Sequence, residues 1–251
     1  VSANSLEIVG LEGLPEVGEG DELGALIAEA AGTLADGEIV VVSQKIVSKA
    51  EGRVRDLAAV EPGERALELA AEIDRDPRLV ELVLGESKRV VRATPAALIV
   101  ETHSGWVCAN AGIDASNLPG DEAVALLPVD ADASARRIRA EIAAAVEAKP
   151  GVVVADSFGR PWRLGQTDVA IGCAGVLAVD DWRGRPDAHG RELAATALAA
   201  ADQLAAAADL ARTKDSGTPA VVIRGAERLW MADDGPGAAA LQRPEADDLF
   251  R

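Results

Sequence analysis

The segment from Val152 to Gly175, VVVADSFGRPWRLGQTDVAIGCAG, constrains this chain more than any other. Val152, Val153 and Val154 are consecutive β-branched residues with no polar interruption, the pattern of a strand buried on both faces. The run leads straight into Asp156 and Ser157. A carboxylate and a hydroxyl at the end of such a strand stand where open α/β sheets place their ligand chemistry. Gly159, Arg160, Trp162, Arg163, Gly165, Gln166, Thr167 and Asp168 follow, reading as a polar loop bracketed by glycines. Arginines and aspartates this dense beside a buried strand suggest an anion and a metal held together. The competing reading is a surface loop with solvated charges.

Composition narrows the function classes. The chain has 251 residues, enough for one large domain or two small ones, and 49% of them are apolar. The formal net charge of −17 repels polyanions, so neither nucleic acid nor an anionic membrane is an expected partner. Small anionic ligands feel local cations and stay open. Cys108 and Cys173 lie in apolar, strand-like stretches and read as buried thiols, without zinc spacing. His103 and His189 are the only histidines, which leaves a histidine metal site or triad poorly supplied. No apolar run reaches eighteen residues and no signal peptide is visible, so a cytoplasmic protein is expected.

Leu6–Gly10 reads as a strand, and Asp21 as the cap of a helix running through Ala31. Glu38–Ser43 is a second buried strand, followed by QKIVSKAEGR. Pro62–Val83 is helical in pattern with a break near Pro77, and Arg89–Arg92 reads as a strand. Ala97–Glu101 and Trp106–Asn110 read as a hairpin around His103-Ser104-Gly105. Asp130–Glu147 is amphipathic, with Ile138, Ile142 and Val146 on one face. Arg191–Arg212 has the composition of one long alanine-rich helix, Pro219–Gly225 reads as a last strand, and Gly235–Arg251 as a loose tail. Strands and helices are mixed without a steady βαβ rhythm, and neither GxGxxG nor GxxxxGK[ST] occurs.

Four groups could carry chemistry. Of five lysines in the chain, Lys45 and Lys49 both follow the second buried strand, with Arg53 and Arg55 close behind. A compact ammonium suits a phosphate; a solvated sheet edge is the alternative. Asp114 and Asn117 lie in AGIDASN, where Asp and Asn also favour turns for local reasons. Asp114, Asp156 and Ser157 together make an all-oxygen set suited to Mg²⁺ or Mn²⁺. Arg160 and Arg163 could clamp a carboxylate or phosphate, with Asp168 orienting them, or all three could form an internal salt-bridge network.

The motifs GLPE, VVSQKIVSKAEGR, AGIDASN, LLPVD and ADSFGRPWRLGQTDVAIG occur in this order. Together they resemble the coenzyme F420-0:L-glutamate ligases, which γ-glutamylate a deazaflavin cofactor, over nearly the whole chain. The resemblance implies a mixed α/β (α+β) fold with mixed and antiparallel sheets, built as an intertwined homodimer. It makes residues 1–251 the ligase domain, either as one unit or as two intertwined subdomains. A nitroreductase-like domain, often fused in actinobacterial relatives, is not expected within these residues.

The resemblance also implies GTP as co-substrate, a divalent cation (Mg²⁺ or Mn²⁺) and K⁺, with F420-0 and L-glutamate as the other partners. By motif position, Leu14, Pro15, Glu16, Val17, Gln44, Lys49 and Asn117 would bind the nucleotide. Asp114, Asp156 and Ser157 would hold metal, with Asp156 and Lys49 the residues most directly engaged in catalysis. Arg160 and Arg163 are candidates for holding glutamate or the cofactor's phosphodiester, and Asp168 for the base that deprotonates the incoming amine. Ser157 stands where many relatives have Thr, which keeps the hydroxyl. The run from Arg212 to Gly217 departs from the Gly-Glu/Gln-rich stretch of archaeal relatives, so no ligand is assigned there. A γ-glutamyl ligase for another acceptor, such as a folate, and a non-catalytic nucleotide-binding module are the competing functions. A deazaflavin oxidoreductase is disfavoured by 2% aromatic content without tyrosine.

Overall fold

Ile39–Val42 and Val152–Val154 are wholly buried and pair in register in parallel, Val40 opposite Val152 and Ser43 opposite Ala155. Side chains alternate between the faces of a strand, so uninterrupted branched residues require a cover on both sides. The computed structural model, which describes residues 5–118, 120, 122–212 and 216–248, supplies both covers.

In chain order, strand β1 (Glu7–Gly10) precedes helix α1 (Leu23–Ala31), β2 (Ile39–Ser43), α2 (Gln44–Ala50) and β3 (Val54–Asp56). Helices α3 (Glu64–Ile73) and α4 (Pro77–Gly85) lead to β4 (Ser87–Ala93), β5 (Leu98–Thr102), β6 (Val107–Ala109) and β7 (Ala123–Ala125). Then come α5 (Ala131–Val146), β8 (Gly151–Arg160), β9 (Arg163–Ala174), β10 (Val179–Asp181), β11 (Ala197–Ala199), α6 (Ala200–Asp209) and β12 (Ala220–Arg224). The main sheet has the order β1-β12-β2-β8-β9 and is antiparallel except for the β2–β8 pair. Even-numbered valines of β2 and β8 face α1 and α5, in a core with Leu23, Ile27, Ile138 and Ile142. Val41 and Val153 face α6, in a second core with Leu204 and Ala205. A third core joins α3, α4 and β5 through Leu69, Ile73, Val83 and Val100. The fold is thus mixed α/β with mixed and antiparallel sheets. No helix among the described residues is long and apolar enough to cross a membrane.

Close packing of α1 on α5 depends on Gly24. A methyl group there would lie 2.5 Å from the Ile138 carbonyl oxygen. The Gly24 N–H instead donates to Glu141 Oε2 at 2.7 Å.

Several sequence expectations are corrected. The polar stretch after Asp156 is not a loop: β8 runs on to Arg160, reverses at Pro161-Trp162, and returns as β9 with Ser157 opposite Asp168. Polar residues and glycines fill it, from part-buried Asp156 to the exposed tip, so the apolar alternation that signals a strand is missing. Asp21 does not cap α1; its carboxylate accepts from the Gly18 N–H at 2.8 Å and closes the preceding turn. The helix expected over Arg191–Arg212 spans only Ala200–Asp209, because Ala197–Ala199 pairs with β10 as a strand. Alanine's helix preference, a few tenths of a kcal/mol per residue over most others, yields to that tertiary pairing. The tail is not loose as far as it is described: Asp132 accepts from the N–H groups of Cys173 and Ala238, both at 2.7 Å, and Ala238 is buried.

The segment before the tail is anchored by Arg139, the largest wholly buried side chain. Its guanidinium donates to Pro150 O at 2.9 Å, Asp233 O at 2.8 Å, Met231 O at 2.6 Å and Asp234 Oδ1 at 2.7 Å. Removing it would orphan the buried Pro150 carbonyl and the part-buried carbonyls of Met231 and Asp233, as well as Asp234. Arg139→Met should therefore cost about 1–3 kcal/mol for each carbonyl left without a donor. Urea denaturation reads this directly, and an unchanged midpoint would mean that the segment is held by other contacts.

Candidate active site

The site forms where β2 stops. Ser43 and Ala155 are the last paired residues of the parallel ladder, so the chain leaves β2 as α2 beside the point where Asp156 emerges from β8. The carboxyl end of β2 and of the parallel ladder lies here, the usual ligand edge of such a pair, while β8 continues past it to Arg160. Helix α2 carries Lys45 and Lys49 four residues apart, on one face.

Lys45 is the residue that sequence reasoning passed over in favour of Lys49. Its Nζ donates to Asp114 Oδ2 at 2.7 Å, Ser116 O at 2.5 Å and Ser116 Oγ at 2.7 Å. Asp114 is held from its other side by the Ser116 N–H, which donates to Oδ1 at 2.8 Å. The scarcity of lysine marked both positions, but only the contact of Lys45 Nζ with Asp114 Oδ2 shows which lysine Asp114 faces. Lys49 instead pairs with Glu16 at 2.6 Å, which joins α2 to the Leu14–Val17 loop. In that loop Val17 is buried in the main core, Leu14 packs against it, and Pro15 is exposed. Gln44 is 1% exposed and accepts from Ser48 Oγ at 2.9 Å, so its side chain faces the core. Asn117 stands just beyond Ser116 with φ of 54°.

Asp168 is buried opposite Ser157. It accepts from Ser157 Oγ at 2.6 Å and pairs with Arg212. Both of its oxygens are thereby engaged, and the two arginines it was expected to orient lie elsewhere. Arg160 donates to Leu164 O at 2.8 Å within the hairpin tip, and Arg163 is exposed. Four residues of strand separate Arg160 from Asp156, about 13 Å at the usual rise. The structure thus gathers Asp114, Asp156, Ser157, Asp168, Lys45 and Arg212, and leaves Arg160 and Arg163 at the tip. Arg212, set aside in the sequence because its surroundings match no motif, is the cation that neutralises Asp168.

Three carboxylates share this edge, and two have a cation in contact. Asp156 has no ion pair among the described residues. Burial pushes its carboxyl up to about 7; the negative charges of Asp168 and Asp114 add to this, while the Ser157 N–H and Lys45 offset part of it. At Asp114 burial acts upward, but hydrogen bonds from Lys45 and Ser116 outweigh it and hold the carboxyl below its ordinary value. Cys108 and Cys173 are free, buried thiols, each pushed up to about 12 chiefly by burial and so inert as nucleophiles. No three His, Cys, Asp or Glu side chains among the described residues converge as a complete metal site. The donors at hand, two carboxylates and a hydroxyl, are all oxygen. They fit a hard divalent cation that completes its shell with substrate oxygens.

The sequence profile of the family described as F420-0:gamma-glutamyl ligase matches residues 13–225. The chain belongs to that family. It is 42% identical to the coenzyme F420:L-glutamate ligase of Methanothermobacter thermautotrophicus over 98% of this chain and 99% of that one. Against the proteins of the same name from Natronomonas pharaonis and Halobacterium salinarum the identities are 43% and 47%, covering 98% and 90% of this chain and 95% and 92% of theirs. The F420-0:gamma-glutamyl ligase profile spans every residue gathered at the edge of β2 and β8.

The raised carboxyl of Asp156 has a consequence for stability. The folded state keeps this proton to higher pH than the unfolded chain, whose aspartates release theirs near pH 4. Raising the pH from about 4 to about 7 therefore removes stability through Asp156. In metal-free buffer Asp156→Asn should lose less stability than the parent between pH 5 and pH 8. Urea midpoints at both pH values test this, and parallel curves for the two proteins would contradict it.

Proposed function

We propose that this protein ligates L-glutamate to coenzyme F420-0 through a γ-linked amide, with GTP as co-substrate and an acyl phosphate as intermediate. The observation that carries the reading is its identity of more than 40%, over nearly full length, to proteins named coenzyme F420:L-glutamate ligase. The clustering of Asp114, Asp156 and Ser157 at one sheet edge supports it from the side of chemistry.

A carboxylate resists attack by an amine because its leaving group would be oxide. In the proposed sequence the terminal carboxylate of F420-0 attacks the γ-phosphorus of GTP and GDP departs. The glutamate amine then attacks the acyl carbon, the carbonyl re-forms, and phosphate leaves as the amine loses a proton. Asp114, Asp156 and Ser157 would hold the divalent cation, Mg²⁺ or Mn²⁺, which when bound would offset phosphate charge. K⁺ is proposed as a further requirement. Ser157 donates its proton to Asp168, so toward a cation its hydroxyl oxygen would act as acceptor. Asp168, pinned by Arg212, is withdrawn as the candidate base. Lys49 lies against the Leu14–Val17 loop proposed to bind the nucleotide, together with Gln44 and Asn117. Glu16 would be exchanged for a phosphate as the partner of Lys49.

A mass-spectrometric assay with F420-0, L-glutamate, GTP and Mn²⁺ should show successive gains of one glutamyl residue, absent without GTP or metal. Gains with a folate acceptor but not with F420-0 would move the reading to another γ-glutamyl ligase. Asp156→Asn should lower turnover about 100-fold or more while remaining folded, on the scale of lost electrostatic stabilisation. Near-normal turnover would remove Asp156 from the mechanism.

An intertwined homodimer is part of the same reading. The β8–β9 hairpin supports it, because Trp162 and Leu164 at its tip are 82% and 98% exposed. Exposed apolar side chains of this size at a hairpin tip favour a protein partner. Sedimentation equilibrium should give twice the chain mass and revert to the chain mass in a Trp162→Asp, Leu164→Asp variant. A monomeric parent would exclude the dimer.

A further inference from the structure

Lys45 occupies the position on Asp114 that a divalent cation would need. Its ammonium makes three contacts of 2.5 to 2.7 Å, all to Asp114 and Ser116, and the side chain is 13% exposed. Asp114 Oδ2 accepts from both Lys45 and Ser116 Oγ, while Oδ1 accepts from the Ser116 N–H. A cation reaching Oδ2 meets a fixed positive charge within bonding distance of the same oxygen. Two cations crowded onto one carboxylate oxygen repel each other strongly in a partly buried site. The long, flexible stem of lysine makes the ammonium the mobile partner of the two.

We propose that Lys45 is a resident counter-charge: it seats on Asp114 while the site holds no divalent cation and withdraws when one binds. This rests on the reading of Asp114 and Asp156 as cation ligands and adds to it a positioning residue. In the cation-free protein Lys45 and Ser116 hold the Asp114 carboxylate in place through hydrogen bonds to both of its oxygens. On cation entry the carboxylate exchanges one positive partner for another, so the local charge rises by one unit rather than two. No covalent step is involved, and the displaced ammonium remains on the same face of α2 as Lys49.

The test is calorimetric titration of the metal-free chain with MnCl₂, in the parent and in Lys45→Met, Lys45→Gln and Asp156→Asn, each checked for folding by circular dichroism. Removing the competing charge should tighten Mn²⁺ binding about tenfold or more in Lys45→Met, and in Lys45→Gln, which keeps a hydrogen-bond donor toward Ser116. A merely structural role for Lys45 would weaken binding or leave it unchanged, and either result overturns the proposal. Loss of binding in Asp156→Asn with unchanged binding in the Lys45 variants would sink the proposal alone. Absence of stoichiometric binding in the parent would sink the cation site along with it. Nitrogen-detected NMR of the five lysine ammonium groups gives an independent readout. The Lys45 signal should shift on saturation with diamagnetic Mg²⁺, and a signal that stays in place while Mg²⁺ binds also overturns the proposal.

Discussion

The parallel pairing of β2 with β8 is the constraint on which the rest depends. Two runs of branched residues lie side by side with both faces apolar, and neither could remain in water. Burying one side chain of this kind is worth roughly 1.5–3 kcal/mol, so the pair demands layers above and below. Helices α1 and α5 form one layer and α6 the other. Parallel strands also require a long crossover, and everything from α2 to α5 fills the one between β2 and β8. The third core and its small sheets are therefore an insertion into this crossover. They bring Asp114 back to the edge that β2 and β8 create.

Charge at that edge is arranged by what each strand leaves unpaired. Asp168 faces Ser157 across the β8–β9 ladder and is neutralised by Arg212 from beyond α6. Asp114 is neutralised by Lys45 from α2. At Asp156, between them, the Ser157 N–H and Lys45 offset part of the effect of burial. A site with one carboxylate short of a positive charge is suited to receiving a cation, and among the described residues no ion pair to Asp156 supplies it. The same logic makes the arginines of the hairpin tip poor candidates for this site, since their charge is spent on the turn or left in water.

Much of the frame was legible in the chain. The valine runs, the break at Pro77 and the hairpin around His103 all appear where their local patterns place them, because continuous burial, proline and turn residues act within a few positions. Asp156 and Ser157 were visible for the same reason, as polar residues directly after a buried run. The β8–β9 extension was not, because its ladder is held by backbone hydrogen bonds and its side chains carry no periodic signal. The alanine-rich stretch misled in the opposite direction: its composition favours helix, but a short strand pairing with β10 holds its last residues before α6.

By itself the sequence determined that two strands must be buried on both faces, that acidic and hydroxyl groups follow one of them, and that scarce lysines follow the other. Those are consequences of side-chain chemistry along a few consecutive residues. Only the tertiary structure decided that Lys45 rather than Lys49 meets Asp114, and that Arg212 rather than Arg160 or Arg163 meets Asp168. Partners 44 and 69 positions apart are chosen by where the sheet ends and the crossover returns, which no local pattern encodes.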